Sequence, residues 1–329
     1  MRRTCDKIQP VWRRPALASI GPRRLRRRGR QGSYEMSAKP GNTFTVFTKP
    51  WPEPSLDELA KLVRGLGFDG VELTVRMGYQ IEPATVGKGL KEASKVLGDH
   101  GVFIGSIAGP TDATTIAACG ENGIPIIRVC EGIDMSVGYA ESEKRIRAKY
   151  ESLIPALDDA GVSIGVQNHS GAMIGSAIGI MHLIEGFDPK HVSAVLDPAH
   201  CAVDGEPEEM ALDIVWSHLS LVNFKSASHR RTNRITALEA EWEILWTTAQ
   251  HSGYSWRKMV SLLKAREYTG DICLPAEYSK TSGGGQLMGD DVIPNLQYDI
   301  AYIKHLFESG LSAEIEPFRM VNWESTGEK

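Results

Sequence analysis

The stretch TFTVFTKPWPEPSLDELAKLVRGLGFDGVELTV (residues 43–75) carries the architecture of the chain. Residues 43–48 are apolar or β-branched and read as a buried strand. Residues 55–67 place Leu56, Leu59, Leu62 and Val63 on one helical face and end at a glycine. Residues 70–75 read as a second strand. Strand, helix, strand is the unit of an α/β protein with parallel strands. The linker TKPWPEPS lacks the Gly-rich phosphate loop that follows the first strand of an open, doubly wound sheet.

The same alternation continues outward. Further apolar runs lie at 102–108 (VFIGSIA), 125–129 (PIIRV), 162–167 (VSIGVQ), 192–197 (VSAVLD), 219–225 (LSLVNFK) and 271–277 (DICLPAE). Segments with helical spacing stand at 85–101, 142–161, 176–187, 254–270 and 291–309. Strands this apolar are buried on both faces, as parallel strands under helices are. Eight of them over about 265 residues is the count of a (β/α)8 TIM barrel. The predicted organisation is an Arg-rich disordered extension at 1–42, one barrel at 43–309, and a C-terminal tail at 310–329.

Composition excludes several classes. With 42% hydrophobic and 24% charged residues, the chain is ordinary globular protein. No apolar run is long enough to span a membrane. The five cysteines form no CxxC pair, which argues against a thiolate zinc site or disulfide scaffold and suits a cytoplasmic setting. The net charge of −4 conceals an asymmetry: residues 1–38 hold eleven Lys/Arg against two acids, and the remainder 26 against 39. The RRLRRRGR run (23–30) lacks the apolar segment of an export signal, and the acidic body disfavours nucleic acid as a partner.

In a (β/α)8 barrel the carboxyl ends of the strands open at one mouth, where chemistry is done. Those ends carry Lys49, Glu72, Arg76, Asp112 and Arg128, then Gln167, Asn168 and His169. Asp197, His200, Asn223, Lys225 and Glu277 complete the set. For each alone a cap, salt bridge or solvated loop is the simpler explanation; their concentration at one end calls for a site. Gln167, Asp197, Asn223 and Glu277 end four successive strands and offer oxygen donors without thiolate, a set suited to Mg²⁺ or Mn²⁺. The alternative is a metal-free hydrogen-bond network around two carboxylates. Gly283, Gly284 and Gly285 have no GxGxxG spacing and read as a flexible loop. The long segment 226–253, with Arg230, Arg231, Arg234, Trp242 and Trp246, is suited to a lid that stacks on a sugar ring and grips an anion, or else to packing on the rim.

From Thr43 to Phe307 the chain resembles the xylose isomerase-like TIM barrels, the sugar phosphate isomerase/epimerase superfamily. The carriers are LAKLVRGLGFDGVEL, the Asn168-His169 pair after strand five, Asp197-x-x-His200 after strand six, the turn at Asn223-x-Lys225 after strand seven, and Glu277 after strand eight. The resemblance implies a divalent metal held at four strand ends, proton transfer beside a carbonyl through an enediolate, and a small-molecule sugar substrate. It assigns Asp197 and Glu277 to the metal and His200 to substrate beside it. This chain departs by having Gln167 in place of Glu, Asn223 in place of His and Ser226 in place of Asp. Amides bring no charge and Gln167 cannot act as a base, which argues against symmetrical two-base epimerisation.

The leading expectation is therefore a sugar or keto-sugar isomerase/epimerase-type enzyme, with a keto-sugar lyase as its nearest variant. Glu277, His200, His169 and Lys225 are the expected catalytic residues. Glu72, Arg128, Asn168, Arg230 and Trp242 are expected to bind substrate, and Mn²⁺ or Mg²⁺ to be held by Gln167, Asp197, Asn223 and Glu277. The competing expectation is a metal-free, non-catalytic carbohydrate-binding barrel. An abasic-site endonuclease needs more metal-ligating histidines and a basic groove. Whether the chain forms a homo-oligomer is left open.

Overall fold

The computed structural model describes residues 41–249, 254–280 and 285–309. The extension up to residue 40, the tail from residue 310, and Gly283 and Gly284 lie outside the described residues.

The described residues form ten strands: β1 (Phe44–Phe47), β2 (Gly70–Thr74), β3 (Phe103–Ala108), β4 (Ile126–Val129), β5 (Ser163–Gln167), β6 (Val192–Leu196), β7 (Leu219–Asn223), β8 (Ser226–Arg231), β9 (Trp242–Thr247) and β10 (Asp271–Leu274). All except β8 and β9 close into one parallel barrel in the order β1-β10-β7-β6-β5-β4-β3-β2. The helices are α1 (Leu56–Gly65), α2 (Val86–Asp99), α3 (Ala113–Glu121), α4 (Tyr139–Ala160), α5 (Ala177–Ile184), α6 (Pro198–Asp204), α7 (Glu208–Val215), α8 (Trp256–Ala265) and α9 (Ile293–Glu308). None of them is long and apolar enough to cross a membrane.

Local chemistry explains the punctuation. Ser55 and Glu58 form a reciprocal capping box at the start of α1, whose Leu59, Ala60 and Val63 are buried. Gly67 follows at φ 86°, a left-handed turn that side chains resist. The expected lid segment is instead an antiparallel hairpin, with Ser226 opposite Thr247 and Arg231 opposite Trp242. Asp112, expected at the mouth, caps α3 by accepting from the Thr115 amide at 2.9 Å.

Two apolar clusters divide the work. The larger packs the helices onto the outer faces of the strands. A smaller one joins Phe47, Ala108, Ile126, Val195, Leu221 and Cys273. Register pairs four of them with polar residues on neighbouring strands: Phe47 with Glu72, Ala108 with Arg128, Val195 with Gln167 and Cys273 with Asn223. Paired residues of a barrel face the same way, so Glu72, Arg128, Gln167 and Asn223 point inward with the cluster. The barrel interior thus changes from apolar to polar within one layer.

Gly165 is required by that interior. A Cβ there would meet Val195 Cγ2 at 2.7 Å and Ile126 Cγ2 at 2.9 Å, both on stiff β-branched side chains. Gly165→Ala is expected to destabilise the fold by about 1–3 kcal/mol, measured as a lower urea midpoint at unchanged slope; an unaltered midpoint would contradict this packing.

Candidate active site

A cavity of ≈ 590 Å³ opens at the carboxyl end of the strands. Lys49, Arg76, Arg128, Cys130, Gln167, His169, Asn223, Lys225 and Glu277 are among the residues that line it. Asp197 and His200 are fully buried and do not reach its wall.

The centre is a chain of opposite charges. Glu277 accepts from Lys49 Nζ at 2.5 Å through one oxygen and from Lys225 Nζ at 2.7 Å through the other. Lys225 Nζ also lies 3.4 Å from Asp197 Oδ2 and 4.2 Å from the centroid of the Trp246 ring. Burial favours the neutral amine of Lys225, but Asp197 and Glu277 outweigh it and keep the group charged. Burial opposes ionisation of Glu277 as well; Lys225 and Lys49 win, holding it well below the ordinary carboxylate range. Asp197 has less help, and burial pushes its carboxyl up to about 6 against the pull of Lys225.

Asp197 is fixed from several sides. Its Oδ1 caps α6 by accepting from the amides of Ala199 (3.0 Å) and His200 (3.4 Å). Its Oδ2 accepts from Gln167 Nε2 at 2.8 Å. Asn168 holds the Asp197 backbone, donating to its carbonyl at 3.0 Å and accepting from its amide at 2.8 Å. Asn168 is therefore wholly buried and outside the cavity wall.

The two histidines have different tautomers. His169 Nδ1 donates to the Ser170 carbonyl at 2.8 Å, which leaves Nε2 as a lone-pair acceptor. Burial lowers its pKa, so the ring is neutral near pH 7. His200 Nδ1 accepts from the Ser170 amide at 3.1 Å, so its proton resides on Nε2. That buried Nε2 has no hydrogen-bond partner among the described residues; it points its proton in the direction of Asp197 Oδ2, 3.8 Å away.

On the opposite wall Arg128 reaches across the barrel to Glu72. Its Nε donates to Glu72 Oε1 at 3.0 Å, Nη2 reaches the same oxygen, and Ser106 Oγ donates to Oε2 at 3.0 Å. Glu72, expected to bind substrate, is thus consumed by an internal ion pair. Arg230 and Trp242 also stand apart from the cavity. Arg230 pairs with Glu243 across the hairpin at 2.5 Å, and Trp242 is 60% exposed beside His229. The aromatic residue that the hairpin brings to the site is Trp246, through Lys225 and the His200 ring (5.0 Å). Lys49 and Arg76, read at the strand ends, line the cavity; Cys130 and the clamp of Glu277 by Lys49 were not expected, and only pairing across the barrel reveals them.

A divalent ion implied by the family does not fit these donors. Both oxygens of Glu277 are occupied by ammonium groups, and Asp197 is saturated by two amides and Gln167. Gln167 turns its NH₂ toward Asp197, with its oxygen 3.6 Å from Cys130 Sγ. Asn223 Oδ1 alone is buried without a partner. An ion brought to the two carboxylates would press against the Lys225 ammonium, a like charge.

The family model for the xylose isomerase-like TIM barrel matches residues 60–292, and the chain belongs to that family. No curated protein matches the sequence. Among solved structures, the chain is similar to an L-ribulose 3-epimerase, with 17% identity, 84% of this chain and 100% of that one covered, and a TM-score of 0.62. D-psicose 3-epimerase from Clostridium cellulolyticum H10 aligns at 12% identity over 81% of this chain and 100% of its own, TM-score 0.60. The 3-keto-D-glucoside 4-epimerase of E. coli aligns at 12% over 80% and 99%, TM-score 0.60. At these identities the likeness speaks for the fold.

Glu277→Gln removes the carboxylate from two ammoniums and is expected to cost about 3–5 kcal/mol of stability at pH 7. The sign with pH follows from the depressed pKa: the contribution of Glu277 is complete above its unfolded value of 4.5 and is lost as pH falls below it. Urea unfolding of both proteins from pH 7 downward is expected to bring their stabilities together on the acid side. A gap that widens with acid would contradict the clamp.

Proposed function

We propose that the protein is a sugar or keto-sugar isomerase/epimerase-type enzyme that moves a proton on carbon beside a carbonyl, through an enediolate. The observation that carries this reading is one cavity walled by a neutral histidine with a free Nε2 and by two ammoniums, Lys49 and Lys225. His169 Nε2 takes the proton from the substrate carbon, and the electron pair moves onto the carbonyl oxygen. Lys225 and Lys49 meet that developing negative charge, as a preorganised oxyanion site does. The proton of the adjacent hydroxyl then passes to the former carbonyl oxygen. His169 returns its proton to the former carbonyl carbon as the adjacent C–O becomes the new carbonyl, which gives isomerisation with one base on one face. Asn223 Oδ1, buried and unpartnered at the wall, is an acceptor for a substrate hydroxyl.

The other expected bases are less apt. Glu277 is held ionised by two cations and gains little by taking a proton, and His200 carries its proton on a buried nitrogen away from the cavity. Since the donor set does not suit a divalent ion, no step is assigned to one. The family membership and the similarity to structures of sugar epimerases support the reaction class. A second reading, a carbohydrate-binding barrel without catalysis, is favoured by the two amides, Gln167 and Asn223, where the family pattern has an acid and a histidine.

Proton NMR in heavy water separates the two. Chelator-treated protein is expected to exchange the hydrogen beside the carbonyl of a ketose such as D-fructose, D-psicose or L-ribulose. His169→Gln is expected to slow that exchange by about 10²–10⁴-fold. Sugar binding without exchange in any of these ketoses would overturn the enzyme reading and favour the binding barrel.

A further inference from the structure

The cavity wall around Phe47 has a charge pattern that proton transfer does not use. Two guanidinium groups lie over the Phe47 ring, Arg128 at 4.5 Å and Arg76 at 5.7 Å from its centroid. Arg128 is buried and fixed by Glu72 through Nε and Nη2. Its remaining edge, Nη1, has only Cys130 Sγ near it, at 3.8 Å, a poor acceptor. Arg76 has no carboxylate partner among the described residues, and it lines the same cavity.

Among the described charged residues that line the cavity, all but one have a partner of opposite sign. Arg128 is matched by Glu72, and Lys49 and Lys225 are matched by Glu277 and Asp197. Arg76 remains, without a carboxylate partner among the described residues, and it shares the Phe47 ring and the cavity wall with the rigidly held Arg128 guanidinium. Planar forks of this kind recognise carboxylates in a bidentate manner.

We propose that Arg76 and the Nη1 edge of Arg128 form an anion subsite, and that the substrate is a keto-sugar acid whose carboxylate docks there while its carbonyl faces Lys49 and Lys225. One surplus positive charge matches a carboxylate rather than a phosphate dianion. The cavity of ≈ 590 Å³ has room for a six-carbon chain. This deepens the proposed function and rests on it for the carbonyl end.

D-fructose and D-fructuronate differ only in a CH₂OH or a carboxylate at the far carbon, and isothermal titration of both tests the subsite. Fructuronate is expected to bind about 10–100-fold more tightly than fructose, the effect of a charge-assisted hydrogen bond. Arg76→Gln is expected to bring fructuronate binding down to the level of fructose with an unchanged circular dichroism spectrum, and Arg76→Lys to restore part of the difference. Equal binding of the two sugars, no binding of fructuronate at millimolar concentration, or a preference that survives Arg76→Gln overturns the subsite. Tighter binding of D-fructose 6-phosphate than of fructuronate overturns its assignment to a carboxylate. Absence of solvent exchange in either sugar would remove the reaction and leave the binding difference standing; equal binding with intact exchange would remove the subsite alone.

Discussion

Charges buried at the mouth of a barrel must neutralise one another, because the protein around them solvates ions poorly. Lys225, Asp197, Glu277 and Lys49 meet this constraint as two cations and two anions in contact. Much of the local structure follows from it. Asp197 is tied to the start of α6, Gln167 turns its NH₂ toward that carboxylate, and Trp246 from the hairpin covers the Lys225 ammonium. Removing either carboxylate leaves a buried cation, so the cluster fixes its own composition.

The same constraint distinguishes this chain within its family. The family pattern implies a metal among acids and a histidine; here two of those positions are amides and a lysine supplies the positive charge between the carboxylates that remain. A tethered ammonium is always present and brings one charge instead of two. It donates protons in hydrogen bonds, whereas a metal ion accepts lone pairs. In the proposed reaction an enediolate oxygen can be stabilised by either, and the proton acceptor is a group the ammoniums do not clamp, His169.

The barrel was legible in the sequence because its strands are short apolar runs that a buried parallel sheet requires, as at 162–167 and 192–197. Helix α3 was not, since ATTIAACGE has too little contrast between its faces to show a helical period. Helices α6 and α7 were hidden for a similar reason, being short and following directly on LDPAH. The run WEILWT (242–247) has the β-branched and aromatic character of a strand, yet its arginine-rich partner SASHRR does not, and a hairpin needs both. Of the site, the strand-end residues were legible and their roles were not. Glu72 and Arg128 are 56 positions apart on strands separated by a third, so only register shows that they pair. The direction in which Gln167 points its amide is likewise a property of its neighbours.

The most direct test of the central claim is titration of the chelator-treated protein with Mn²⁺, followed by electron paramagnetic resonance of the free ion. If the Lys225 ammonium stands in place of a divalent cation, the parent leaves Mn²⁺ free at micromolar concentration. Lys225→Met, which removes the charge and keeps much of the length, is then expected to bind it at least about tenfold better. Stoichiometric Mn²⁺ binding by the parent, with no gain in Lys225→Met, would contradict the account.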